Sequence, residues 1–176
     1  MAQCLISAID RDFAGFTFCR ITIIKPQRDA SGEIEHFMPQ LRYKNVRGLP
    51  LHKHGNGPFC RLVIRGLPWQ AGVYIITAEG DAVYSGECEN LAARFGLSQY
   101  GMIQPRNCYR NGQSTNCKIN NLILQCAKAN RILELWFHVT DQRFSVESKI
   151  ILALRPPWNN QLPFAGPVGL PKVEPQ

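Results

Sequence analysis

The chain has 176 residues, 45% of them hydrophobic and 19% charged, an ordinary composition for one folded, soluble domain with a substantial core. It contains no long apolar run and no signal-peptide pattern at Met1-Ala2-Gln3-Cys4, which argues against a membrane-spanning segment or a membrane partner and predicts a cytoplasmic protein. The net charge of +7 leaves two readings: a merely soluble basic surface, or a polyanionic partner such as nucleic acid.

Up to residue 67 the pattern is β-rich. Apolar, β-branched runs at 4–9, 16–24 and 61–64 read as strands. Between them 28–57 is polar, punctuated by Gly48-Leu49-Pro50 and Gly55-Asn56-Gly57-Pro58. This loop carries Arg42, Lys44, Arg47, His52, Lys53 and His54, and suits equally a substrate arm that orders on binding and a solvated connector. Gly66-Leu67-Pro68 marks the entry to the next module. The expected organisation is an N-terminal β-rich extension over 1–67, a main domain over 68–160 and a Pro-rich tail over 161–176. With Pro at 163, 167, 171 and 175 and little to bury, that tail is expected to be extended or disordered.

Two apolar runs at 72–76 and 82–86, separated by Glu79-Gly80-Asp81, give a hairpin signal. Tyr74 and Tyr84 stand ten residues apart, one on each run, so both phenols are expected on the same side of the sheet. Asn90 is a fair N-cap for a helix that includes Leu91-Ala92-Ala93 and brings Arg94 close to the hairpin. Residues 96–114 read as a polar loop. Between Gly96 and Leu133 the charged residues are Arg106, Arg110, Lys118, Lys128 and Arg131, without an acid. A helix is expected from Thr115 or Asn116 to about Asn130, burying Ile119, Leu122, Ile123, Cys126 and Ala127, with Asn130 as its stop. A strand over 132–139 follows. The last helix, capped by Asp141 or Ser145, would place Glu147 in its first turn and turn Ile150, Ile151 and Leu154 inward before Pro156-Pro157 ends it.

Seven cysteines (Cys4, Cys19, Cys60, Cys88, Cys108, Cys117 and Cys126) form no CxxC pair and read as reduced thiols. The spacings do not support a zinc site built from Cys108 and Cys117 with His52 or His54.

Taken singly, the polar residues of the second module have ordinary roles: tyrosines packed on a core, a helix-dipole carboxylate at Glu147, a solvated Arg94, a turn-forming Asn159. Taken together they resemble the GIY-YIG nucleases. Gly72-Val73-Tyr74 matches the first motif of that family and Tyr84-Ser85-Gly86 the second, with Arg94 ten residues after Tyr84. Glu147 and, twelve residues later, Asn159 after Pro156-Pro157 supply the downstream pair. The resemblance covers 72–159 and implies a small α/β (α+β) fold, a central antiparallel sheet flanked by helices, to which the β-rich extension is added.

The resemblance also implies a chemistry. Glu147 would hold one divalent ion, Mg²⁺ or Mn²⁺. Tyr74 would activate the attacking water, Tyr84 would orient it, Arg94 would grip the scissile phosphate and Asn159 would fix the turn behind the site. The substrate implied is DNA, double-stranded, with Arg106, Asn107, Arg110, Gln113, Asn116 and Lys118 of the right types to contact it. A stand-alone chain looks more like a restriction or defence enzyme than a repair-type nuclease. Cutting both strands calls for a homodimer or for two sequential nicks. Three departures from the family pattern bear on this. Ser85 stands where an apolar residue is usual, Glu87 where many relatives have Lys, and Ser98 where His or Tyr often moves a proton. Tyr100 is the candidate to replace the last of these, and the departures keep open a nucleic-acid-binding protein without catalysis.

Overall fold

The computed structural model describes residues 9–159; the strand expected at 4–9 lies almost wholly outside them, as does the Pro-rich tail. In chain order come β1 (Asp10–Phe13), β2 (Phe16–Ile23), β3 (His36–Phe37), β4 (Phe59–Cys60), β5 (Gly72–Ala78), β6 (Asp81–Cys88), α1 (Leu91–Arg94), α2 (Ser114–Lys128), β7 (Leu133–Val139) and α3 (Arg143–Leu154). Five strands make one antiparallel sheet in the order β1-β2-β7-β5-β6, and β3 with β4 makes a small second one. The chain is therefore mixed α+β, a central antiparallel sheet with helices packed on it.

The β5–β6 hairpin forms where Glu79 and Gly80 both take positive φ, 53° and 89°, the conformation a two-residue turn needs to match the twist of the strands. Every residue of β5 is buried. Because successive side chains point to opposite faces, Tyr74 and Ile76 pack with Ile119, Ile123 and Leu124 of α2 on one face. Val73 and Ile75 pack with Val146 and Ile150 of α3 on the other. The β1–β2 hairpin joins this sheet through β2 and β7, so strands from before and after residue 67 share one core layer.

Several expectations need correction. Residues 61–64 are not a strand: Leu62 makes one isolated bridge, with Pro26, and a proline without an N–H cannot propagate a ladder. The Leu62 amide donates instead to the Gly101 carbonyl at 2.8 Å. In α2 the buried stripe contains Leu124 rather than Leu122, with Asn116 and Asn120 lying in it. The helix stops as expected, with Asn130 in the left-handed region (φ 54°). Neither Asp141 nor Ser145 caps α3. It begins at Arg143 after Gln142, without a side-chain cap, so Glu147 sits in the second turn. Leu154, in the last turn, is 36% exposed rather than inward. The loops at 28–57 and 96–114 each contain a short 3₁₀ turn, Pro39–Arg42 and Pro105–Cys108. No helix among the described residues is long and apolar enough to cross a membrane.

Candidate active site

Strand register brings the first two site residues together. Tyr74 faces Gly86 and Tyr84 faces Ile76 across β5–β6, so the tyrosines are diagonal neighbours on one face, with ring centroids 6.1 Å apart. Gly86 is required here by close approach: a Cβ on it would lie 2.3 Å from the Tyr74 hydroxyl oxygen. A third phenol completes the group. The Tyr100 hydroxyl lies 3.0 Å from that of Tyr74 and 3.3 Å from that of Tyr84, and Phe95 packs edge-on against Tyr74 and Tyr100. Burial, reinforced by the neighbouring phenols, holds the Tyr74 hydroxyl well above its ordinary pKa, and Arg94 opposes this. The Tyr84 and Tyr100 hydroxyls are raised too, again chiefly by burial.

The backbone of Tyr100 is fixed from α2. Asn120 is fully buried, donates to the carbonyls of Cys60 and Tyr100 at 2.9 and 2.8 Å, and accepts from the Cys60 amide at 2.9 Å. Sequence reasoning missed this residue. Its one signal was a polar side chain next to Ile119 on an otherwise apolar stripe, where an unpartnered amide would be costly.

The remaining predicted residues gather along the outer edge of β6, the last strand of the sheet. Asn159 accepts from the Ser85 amide at 3.0 Å and donates to the Ser85 carbonyl at 2.9 Å, and the Trp158 amide donates to Val83 at 2.9 Å. Two residues further along the same edge, the Glu87 carbonyl accepts from Arg94 at 3.3 Å, while the Glu87 amide favours the ionised form of the Glu147 carboxyl. Glu87 of the edge strand thus neighbours both the guanidinium and the carboxylate. Arg94 makes no carboxylate ion pair among the described residues and lies 5.9 Å from the centre of the Tyr100 ring.

Tyr74, Tyr84, Arg94, Tyr100 and Glu147 line a single hollow of about 250 Å³ together with Glu87 and Phe144. Asn159 is outside it and acts on the strand behind. A larger cavity, about 550 Å³, lies between the 29–42 loop and the 102–105 segment and includes none of the five. Burial and the adjacent Glu87 carboxylate raise the Glu147 carboxyl to about 7, against the Glu87 amide and Arg94. Glu87 is itself ion-paired to Arg143, which also reaches Glu89 at 3.0 Å.

Of the residues expected to contact nucleic acid, Asn116 lines the hollow but is buried, donating to Gln99 at 2.8 Å and to Gln113. Asn107 donates to the same Gln113 oxygen at 3.4 Å. Arg106 donates to the Arg110 carbonyl at 3.0 Å, and Lys118 to that of Trp158 at 2.5 Å. Arg110 and Gln113 are exposed. Arg106, Arg110 and Lys118 are not part of the hollow wall.

No group of three or more His, Cys, Asp or Glu among the described residues is arranged to hold a metal ion. Glu147 offers a half-buried carboxylate on a polar hollow, a donor set that fits a hydrated ion such as Mg²⁺, which takes one or two carboxylates and keeps several waters. The thiols of Cys108 and Cys117 donate to the carbonyls of Gln104 and Asn107 at 4.0 and 3.6 Å. Nearby, His52 has Nε2 on the Asn107 carbonyl at 2.7 Å and Nδ1 on the His54 amide at 3.1 Å. In comparisons with protein-family models, curated proteins and solved structures, no family model matches this chain, and neither does any curated protein or solved structure.

Proposed function

We propose that the protein is a metal-dependent DNA endonuclease of the GIY-YIG kind, with the corresponding fold in residues 68–160. The observation that carries this reading is the convergence of four separated residues, Tyr74, Tyr84, Arg94 and Glu147, on one hollow, with Asn159 on the strand behind them.

Glu147 would hold Mg²⁺ or Mn²⁺, which when bound supplies positive charge to the phosphate and to the departing alkoxide. Arg94, half-buried and without a carboxylate partner among the described residues, receives the scissile phosphate through its fork of donors. Tyr74 takes the proton of the attacking water as the new P–O bond forms and the bond to the leaving sugar oxygen breaks. Since burial favours its neutral form, Tyr74 must first part with its own proton. That proton leaves to solvent before the water attacks, Arg94 is the resident cation that favours the phenolate, and the Tyr100 hydroxyl at 3.0 Å is placed to donate a hydrogen bond to it. Tyr84, bonded to the same Tyr100 hydroxyl, holds that donor in line.

Incubating plasmid with the protein and Mg²⁺, then mapping the ends, tests the reading. Cleavage is expected from the wild type and none from a folded Glu147→Ala variant; full cleavage by that variant rejects the assignment. Ends at one sequence point to a restriction or defence enzyme acting on duplex DNA, and ends at lesions or junctions to a repair-type nuclease. A second reading, a DNA-binding protein without catalysis, draws on Glu87, whose carboxylate brings negative charge into the hollow. Salt-sensitive binding without metal-stimulated breaks selects it.

A further inference from the structure

Among the side chains of the hollow wall that the chemistry above does not use, Phe144 stands apart. Phe144 is 61% exposed and, among the residues lining the hollow, has the one wholly apolar side chain; the others are Gly86 and residues with polar groups. A lone exposed phenylalanine elsewhere on a surface would be unremarked. This one stands in the first turn of α3, three residues ahead of Glu147, and residues at that spacing share a helix face. Its ring is also fixed in place. The Arg143 guanidinium lies 4.5 Å from the ring centre, and Arg143 is itself held by the carboxylates of Glu87 and Glu89. The result is an exposed aromatic on the wall of the same hollow, about 250 Å³, as the arginine proposed above to receive the phosphate.

We propose that Phe144 is a stacking platform for the base attached to the bound phosphate, so that the hollow takes a nucleotide whose base has left its own stack. The inference rests on DNA being the substrate. Stacking on an aromatic side chain tolerates any base and is lost on truncation to Ala, with affinity falling roughly five- to a hundredfold per base. Extruding a base costs least where it is mismatched, so a mismatched duplex should bind more tightly than a fully paired one.

The test uses the full chain in EDTA, which prevents metal-dependent cleavage, and short duplexes carrying 2-aminopurine in a mismatch or in a normal pair. Wild type and Phe144→Tyr, which keeps the ring, should change the 2-aminopurine emission and favour the mismatched duplex. Phe144→Ala, with an unchanged melting temperature, should lose both the emission change and about tenfold in affinity. An emission change and affinity retained by Phe144→Ala overturn the proposal, while plasmid cleavage by the wild type would leave the nuclease reading intact. Absence of both binding and cleavage in the wild type overturns both. A shift in sedimentation mass in Phe144→Ala, with DNA binding unaltered, assigns the ring to a self-interface and overturns the stacking role.

Discussion

On the sheet-face side of the hollow, Tyr74 and Tyr100 are each 1% exposed and Tyr84 is 8% exposed, and the three hydroxyls bond to one another. On the strand-edge side, Arg94, Glu147 and Glu87 are half-buried and ionisable, with Arg94 bonded to the Glu87 carbonyl and Glu87 paired to Arg143. The first side is held by packing and is neutral at rest; the second is held by charge, and its Glu147 carboxyl is raised to about 7. The contrast teaches a division of labour. A rigid apolar setting keeps the phenols in register, and the groups placed to meet metal or phosphate stand at the rim.

The sharpest way to break this contrast is to loosen the packed side from behind. Asn120→Ala leaves the Cys60 amide and two carbonyls without their partners, and should cost about 4 kcal/mol in a denaturant titration. A loss under about 1 kcal/mol would show that water takes over these bonds and that Tyr100 is not held from α2. Gly86→Ala comes next. Its methyl would occupy the place of the Tyr74 hydroxyl, so about 2 kcal/mol of overpacking strain is expected, with the phenol signals of Tyr74 and Tyr100 shifted in NMR spectra.

The rim side answers to pH. Folded Glu147 titrates at about 7, above its ordinary 4.5, so the folded state binds the proton more tightly than the unfolded one. Glu147 therefore favours folding fully below about 4.5, and this contribution is lost as pH rises through about 7. Relative to Glu147→Gln, the wild type should lose melting temperature across that range. Mg²⁺ should restore it, more strongly above about 7 than below; equal pH profiles for the two proteins would remove Glu147 as the titrating group. The smallest effect is expected at Ser85, whose buried hydroxyl oxygen has no hydrogen-bond partner among the described residues. Ser85→Ala should raise stability by about 1 kcal/mol, and a fall would mean that the hydroxyl is satisfied.

The packed side was largely legible in the sequence. Alternating apolar residues, a Glu-Gly turn and two tyrosines ten apart fix a register, because strand periodicity is two and the turn sets the pairing. Arg94 followed from the Asn90 cap, which accepts from the Ala93 amide at 2.9 Å. The α3 boundary was misread because that helix lacks the side-chain cap that capping preferences presuppose. Asn120 could be noticed but not interpreted: its partners, Cys60 and Tyr100, are brought to it only by tertiary structure, and without them the amide looks like a flaw in the buried stripe. Glu87 was visible only as a substitution, and its pairing with Arg143 depends on α3 packing beside β6.

The clamp of Trp158 and Asn159 on β6 has a bearing on how two copies of the chain could meet. By occupying the outward peptide groups at Val83 and Ser85, it denies a neighbouring molecule the ladder on which a second sheet would grow. At the opposite margin of the described sheet, β1 is short and carries exposed Asp10, Arg11 and Asp12, features that discourage a foreign strand. If the proposed nuclease acts as a pair, its contact would then form through helices and loops rather than through a shared sheet.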